Sequence, residues 1–319
     1  MTIFRYVIIL SMLLLLCNCN NIPEAYYAEP EYIKSPSPKE AAYFKAYDDA
    51  LSLWDTDVYE IYVPTTYGTA HVIVSGPSRG EPAVLLHGMD ASSTSWYPNV
   101  NAISEDYRIY AIDLLIEPGK SKMTKEPESV DDLINWYHEI FEKLKLKEVY
   151  LIGASRGGWI ATNIALKKKI KVKKMALLSP AQTFMWIPPS QDLIKNIVYA
   201  LSSDEKRMRQ VLNTMSKNVD NIDEAYLKQY YLGNQVDVNN KFVASMMPYS
   251  KKELSALDMP VLVLVGDDDM INTPKSIDIA KESIKDAEGE VISQAGHFLS
   301  IDQAEIVNQI IIEFLNKNN

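Results

Sequence analysis

From residue 83 onward, short apolar runs alternate with longer stretches whose apolar residues recur every three or four positions. The runs cover residues 83–86, 107–112, 149–152, 175–178 and 261–265, and a run without polar alternation reads as a strand buried on both faces. Between them, residues 95–103, 130–144 and 159–166 carry helical spacing. Repeated strand–helix units predict an α/β fold, a mostly parallel sheet with helices on both faces. Functional sites in such folds gather beyond the carboxyl ends of the strands. Residues 181–252 break the alternation. That interval is helix-like and rich in large apolar residues, including Phe184, Trp186, Tyr226 and Met246, and it predicts an inserted helical cap over the strand ends.

Ahead of the alternating region, residues 39–54 place Tyr43, Phe44, Tyr47, Leu51 and Trp54 at helical steps. Residues 58–63 and 70–74 alternate around Tyr67-Gly68, as a β-hairpin does. Residues 20–38 contain Pro23, Pro30, Pro36 and Pro38 among polar residues, the composition of a tether. The folded domain therefore spans residues 39–319, with its cap at about 181–252.

Residues 1–19 stand apart from this domain. One charge, Arg5, precedes an uncharged run of twelve residues ending at Cys17, too short to cross a membrane as a helix and the size of a signal-peptide apolar region. A cysteine at its end, Cys17 or Cys19, is where a lipoprotein signal carries its lipid, although Leu16 and Asn18 rather than a small residue precede them. The expectation is an exported protein, secreted or held at the outer face of a bacterial membrane by an N-terminal lipid.

Composition narrows the chemistry. With 47% hydrophobic residues in 319, the chain can bury a sizeable core. The net charge is −10, and no basic patch is interleaved with aromatics, so nucleic acid is not an expected partner. The lysines between Lys167 and Lys174 read as a solvated helix end and loop. Both cysteines lie before residue 20, which leaves no disulfide or thiolate metal site for the domain. The four histidines, His71, His87, His138 and His297, include no pair at metal-ligand spacing, so neither metal nor cofactor is expected.

The candidate chemistry lies in Gly153-Ala154-Ser155-Arg156-Gly157-Gly158, directly after the 149–152 run and before a helical pattern. A strand, Gly-x-Ser-x-Gly and a helix together form a nucleophile elbow. The sharp turn exposes the serine hydroxyl, the glycines give room where strand and helix meet, and the helix N-terminus turns partial positive charge toward the reacting centre. A serine nucleophile needs a base, an acid to orient the base, and donors for the oxyanion. The base is His297, in the loop after the last short strand (290–292). His71 in the hairpin and His138 in mid-helix read as core or solvated residues, and His87 as a residue shaping the turn after residues 83–86. The acid is one of Asp267, Asp268 and Asp269, and spacing from Gly266 favours Asp269 over Asp268. The oxyanion donors are the backbone N–H groups of Met89 and Arg156. The Arg156 side chain reads as a salt-bridge or cap-contact residue.

With these residues placed, residues 58–315 resemble the α/β-hydrolase superfamily, and within it the naproxen-esterase type of bacterial carboxylesterase (carboxylesterase NP). The resemblance extends to Tyr47-Asp48-Asp49-Ala50-Leu51, Trp96-Tyr97-Pro98-Asn99-Val100, Leu178-Ser179-Pro180-Ala181-Gln182-Thr183-Phe184 and Gly296-His297-Phe298-Leu299-Ser300. It is weakest in the cap. Two departures stand out: Asp269 takes the place of a glutamate, and the N-terminal segment is extra. The resemblance implies a metal-free serine esterase acting on carboxylic esters, with a roomy pocket for aryl-acid esters. The apolar cap independently points to small-molecule esters with apolar acyl or aryl groups. The same residues would also serve a thioesterase, an aminopeptidase or a perhydrolase, and some folds of this kind only sense small ligands.

Overall fold

The computed structural model describes residues 22–189, 205–235 and 245–317. The signal-like segment with Cys17 and Cys19, and parts of the cap, lie outside these residues.

Among the described residues nine strands form one sheet. They are β1 (Val58–Thr65), β2 (Gly68–Ser75), β3 (Glu81–Leu86), β4 (Tyr107–Ile112), β5 (Lys122–Met123), β6 (Glu148–Ala154), β7 (Lys171–Leu178), β8 (Val261–Gly266) and β9 (Ala287–Ile292). Their order is β1-β2-β4-β3-β6-β7-β8-β9, with β5 paired to β2. From β4 through to β9 every pairing is parallel, while β1, β2 and β5 join antiparallel. The expected α/β architecture is therefore what the chain adopts, with the hairpin at one edge.

Side-chain alternation divides the central strands between two cores. Val149, Leu151, Met175, Leu177, Val261 and Val263 face one side. There they meet Trp136, Tyr137, Ile140 and Phe141 of α2 (Val130–Lys143), and Ile160 and Ile164 of α3 (Arg156–Lys167). Tyr150, Ile152, Ala176, Leu178, Leu262 and Leu264 face the other. That side is covered by Tyr43 and Tyr47 of α1 (Pro38–Leu51) and by Val307, Ile311 and Phe314 of α7 (Ala304–Asn316). Two-sided burial explains why these strands read as unbroken apolar runs, and each large side chain so buried stabilises the fold by roughly 1.5–3 kcal/mol. Capping boxes fix where helices start: Ser37 with Glu40, aided by Pro38, opens α1, and Ser129 with Asp132 opens α2.

The cap contributes α4 (Glu205–Met215) and α5 (Glu224–Gly233) among the described residues. Met208, Leu212, Tyr226, Leu227 and Tyr231 make a small core of their own with Ala50 of α1. The N-terminal helix thus packs on the sheet with one side and against the cap with another. A further helix, α6 (Lys275–Ser283), packs beside β8 and β9.

Two expectations are corrected. Residues 95–103 are not one helix: a 3-10 turn (Ser93–Trp96) is followed by a separate short helix (Val100–Ser104). Pro98 between them has no N–H to continue a helix, and the Asn99 side-chain Nδ2 ties this junction to Ser300 O and Asn308 Oδ1, at 2.9 and 2.8 Å. Nor does the proline-rich stretch stay clear of the domain. From Ile22 it lies on the surface, with Ile22 and Tyr26 packed against the core and the Tyr32 hydroxyl donating to Lys120 O at 2.8 Å. Apolar and aromatic anchors between the prolines hold it down.

A buried polar network ties α1, the hairpin and the chain after β4 together. Asp113 accepts from Ser93 N (2.8 Å), Lys120 N (2.8 Å) and the Tyr47 hydroxyl (3.2 Å), and contacts His71 Nδ1 at 2.8 Å. His71 Nε2 faces Glu60 at 2.9 Å, and Lys120 Nζ bridges Glu60 and Asp48, each at 2.6 Å. Ionised carboxylates only accept, so both ring nitrogens of His71 donate and the ring is an imidazolium. Burial opposes that charge, but Asp113 and Glu60 outweigh it and hold the His71 pKa above its ordinary value. Burial likewise raises Glu60, yet His71 and Lys120 prevail and bring it from 4.5 to about 2.

A carboxylate depressed by folding stabilises above its unfolded pKa and loses that contribution as pH falls toward the folded value. Glu60 therefore favours the folded state above pH 4.5, and the advantage is lost between there and about pH 2. Thermal midpoints measured across that interval should fall more steeply for the wild type than for Glu60→Gln, and parallel curves would contradict the linkage.

Candidate active site

β6 ends at Ala154 and α3 begins at Arg156, so Ser155 alone makes the turn, at φ 50° and ψ −117°. A positive φ at a non-glycine residue is strained and persists only where its surroundings impose it. Here the Ser155 N–H donates to Leu178 O at 2.9 Å, and Ser155 O accepts from Gly158 N at 3.0 Å and Ala181 N at 3.2 Å. The glycines are sterically required. A Cβ on Gly157 would lie 2.0 Å from Leu86 O, and one on Gly153 would lie 2.5 Å from Gly157 O.

His297 Nε2 lies 2.9 Å from Ser155 Oγ, and His297 Nδ1 lies 3.0 Å from Asp269 Oδ1. The three side chains come from the ends of β6, β8 and β9, and both His297 and Asp269 are buried. Asp269 Oδ1 also accepts from Ile271 N (2.8 Å) and Asn272 N (3.1 Å). Burial disfavours the Asp269 charge, but His297 and these donors outweigh it and hold the carboxyl below its usual range. The Ser179 hydroxyl at the end of β7 adds to that effect from outside regular hydrogen-bond geometry. An ionised Asp269 fixes the proton on Nδ1 and leaves Nε2 free to accept the serine proton.

The neighbouring aspartates have other tasks. Asp267 accepts from Gln294 N and Ala295 N, at 2.9 and 3.1 Å, and so braces the loop that carries His297. Asp268 is exposed and pairs with Lys217 at 2.5 Å.

The remaining histidines sit where other chemistry holds them. His87 accepts from Leu114 N through Nε2 at 3.0 Å, so its Nδ1 carries the proton and donates to Gly88 O at 2.8 Å. Burial lowers its pKa to about 4, which keeps the ring neutral as it shapes the turn after β3. His138 is buried in α2, and desolvation lowers it to about 4. His71 belongs to the core network.

That turn passes directly beside the nucleophile: a Cβ on Gly88 would lie 3.3 Å from Ser155 Cβ. Met89 follows Gly88, and Arg156 is the first residue of α3. Among the described residues no acceptor takes the N–H of Met89 or of Arg156, so both remain available to an incoming oxygen. The Arg156 side chain forms the expected salt bridge, to Glu117. Among the described residues no cluster of His, Cys, Asp or Glu could hold a metal ion.

Two acidic residues at the site carry no signature in the sequence. Glu117 follows β4 and reaches Arg156 and the Asp90 N–H. Asp302 receives Gly296 N (2.8 Å), Lys217 N (2.9 Å), Asn218 N (3.2 Å) and the Ser216 hydroxyl. It thereby joins the end of α4 to the His297 loop. Both acids act through partners distant along the chain, which local spacing does not reveal.

Comparison with known proteins agrees with this arrangement. A family model described as alpha/beta hydrolase fold matches residues 82–236. The chain is 35% identical over 281 residues to the Bacillus subtilis (strain 168) protein named uncharacterized carboxylesterase nap, covering 86% of this chain and 92% of that one. To carboxylesterase YbfK of the same organism it is 30% identical, covering 86% and 93% respectively. The crystal structure of naproxen esterase (carboxylesterase NP) from Bacillus subtilis superposes with a TM-score of 0.82 at 32% identity, covering 88% of this chain and 99% of that one.

The elbow sterics make a direct prediction. In Gly157→Ala the new methyl meets a backbone carbonyl that cannot rotate away, so destabilisation should reach the upper part of the roughly 1–3 kcal/mol typical of overpacking. Chemical denaturation measures it, and a loss below about 1 kcal/mol would contradict the close approach.

Proposed function

The chain belongs to the α/β-hydrolase family, and on that premise we propose that it is a serine carboxylesterase working through an acyl-enzyme. The observation that carries the reading is the 2.9 Å contact between His297 Nε2 and Ser155 Oγ, with Asp269 behind the ring. His297 takes the Ser155 proton as the hydroxyl attacks the ester carbonyl. The developing oxyanion is held by the N–H groups of Met89 and Arg156, each such donor contributing about 3–4 kcal/mol in hydrolases of this kind. Asp269 stabilises the imidazolium, which then protonates the departing alcohol. Water activated by His297 releases the acid.

Substrate preference follows from the surroundings. Met89, Trp186 and Met247 are exposed large apolar side chains in the loop beside Ser155 and in the cap, and Phe184 and Met246 are buried nearby in sequence. Such a surface favours esters with apolar acyl or aryl groups. The two relatives named carboxylesterases support small-molecule carboxylic esters as the substrate class. The reading includes export, supported by the uncharged run ending at Cys17, with the protein either secreted or held at the outer membrane face by lipid at Cys17 or Cys19. Among the described residues no helix is long and apolar enough to cross a membrane.

Hydrolysis of p-nitrophenyl acetate and butyrate tests the proposal. The wild type should turn over both, Ser155→Ala should lose about 10⁶-fold in kcat, and Asp269→Asn should lose about 10³- to 10⁴-fold while staying folded. Activity that survives Ser155→Ala unchanged would end the reading.

A further inference from the structure

Glu117 sits in the turn after β4, its side chain fully buried and outside the triad. One carboxylate oxygen accepts the Asp90 N–H at 2.8 Å, and the other pairs with the Arg156 guanidinium. Arg156 Nη2 in turn reaches Met89 Sδ at 3.0 Å. A single carboxylate therefore links the residue after Met89 to the side chain of Arg156. Met89 and Arg156 are the two residues whose N–H groups flank the serine. We propose that Glu117 is a positioning residue for the oxyanion hole, setting the spacing between the Met89 and Arg156 N–H groups.

The segment it holds needs holding. Asp90 adopts a positive φ of 57°, a conformation that a non-glycine residue keeps only where its surroundings impose it, and the Met89 side chain is 42% exposed. The turn that presents Glu117 is itself firmly placed. Leu114 N donates to His87 Nε2 at 3.0 Å, Glu117 N to Leu114 O at 3.1 Å, and Lys120 N to Asp113 at 2.8 Å. Gly119 packs so closely on Asp113 that a Cβ there would lie 2.7 Å from Cγ.

Stability alone does not account for the pair. A buried ion pair commonly contributes no more than an apolar pair of similar volume. A cation in the first turn of a helix is moreover opposed by the helix dipole. An apolar pair would fill the space but would leave the Asp90 N–H without an acceptor and the turn without its strut. Oxyanion stabilisation depends on donors fixed in advance of the charge, so small displacements of either N–H register in kcat.

The inference rests on the esterase reading of the site, and its test separates the two. Glu117→Ala is compared with the wild type in p-nitrophenyl butyrate hydrolysis, with rates corrected to sites titrated by a fluorophosphonate so that a smaller folded fraction does not count. The expected result is a kcat at least ten-fold lower with KM changed less than two-fold. Affinity for phenylboronic acid, whose tetrahedral serine adduct fills the hole, should weaken in parallel. A merely structural role would reduce the number of titratable sites and leave kcat per site unchanged. Should Glu117→Ala not fold, Glu117→Asp keeps the charge but withdraws the carboxylate by one methylene, and the same split between kcat and KM is expected. Wild-type turnover with kcat per site within two-fold in the folded variant overturns the assignment of Glu117 alone. No turnover by the wild type overturns the esterase reading, and this inference with it.

Discussion

The site is built around a steric constraint: β6 gives way to α3 across a single residue, in a space where no Cβ fits at Gly153 or Gly157. That close approach sets Ser155 at a positive φ and turns its hydroxyl out beyond the sheet. It also brings the start of α3 against β3, so the turn at Gly88 and the helix N-terminus meet on either side of the same oxygen. The parallel order of β3, β6, β7, β8 and β9 then delivers the remaining parts, because each strand ends on the same edge. Backbone geometry, more than any side-chain contact, assembles the candidate centre.

Electrostatics assigns different states to three buried histidines in one domain. His71 lies between two carboxylates and is held as a cation within the core. His87 accepts a backbone amide on one nitrogen and, desolvated, stays neutral. His297 has a carboxylate on one side and a hydroxyl on the other, the arrangement in which a ring can pass a proton and take it back. The residue type is the same each time. The partners decide whether it holds a structure, shapes a turn or exchanges a proton.

Much of this was legible in the sequence because it is written locally. Central strands apolar at successive positions announced two-sided burial, and the Gly-x-Ser-x-Gly segment announced the elbow. The distance of three residues from Gly266 distinguished Asp269 from Asp268, which pairs with Lys217 at the surface. Other features depend on contacts between distant segments and left no local trace. Glu117 meets a partner 39 positions away, and Asp302 meets groups more than 80 positions away. The stretch before residue 38 reads as a tether by its prolines, yet a few apolar side chains suffice to lay it on the domain. Pro98 divides what periodicity joins.

The cap touches the rest of the molecule through particular posts. At one, Asp302 gathers the end of α4 and the His297 loop, and Met215 O receives the Phe298 N–H at 3.0 Å. At another, Gln229 of α5 donates to Ser92 Oγ at 2.6 Å and accepts from the Thr94 hydroxyl. Segments pinned at such posts can exchange residues between them without disturbing the register of the imidazole below. The architecture thus joins the cap to the reacting centre at a few fixed points rather than along a continuous seam.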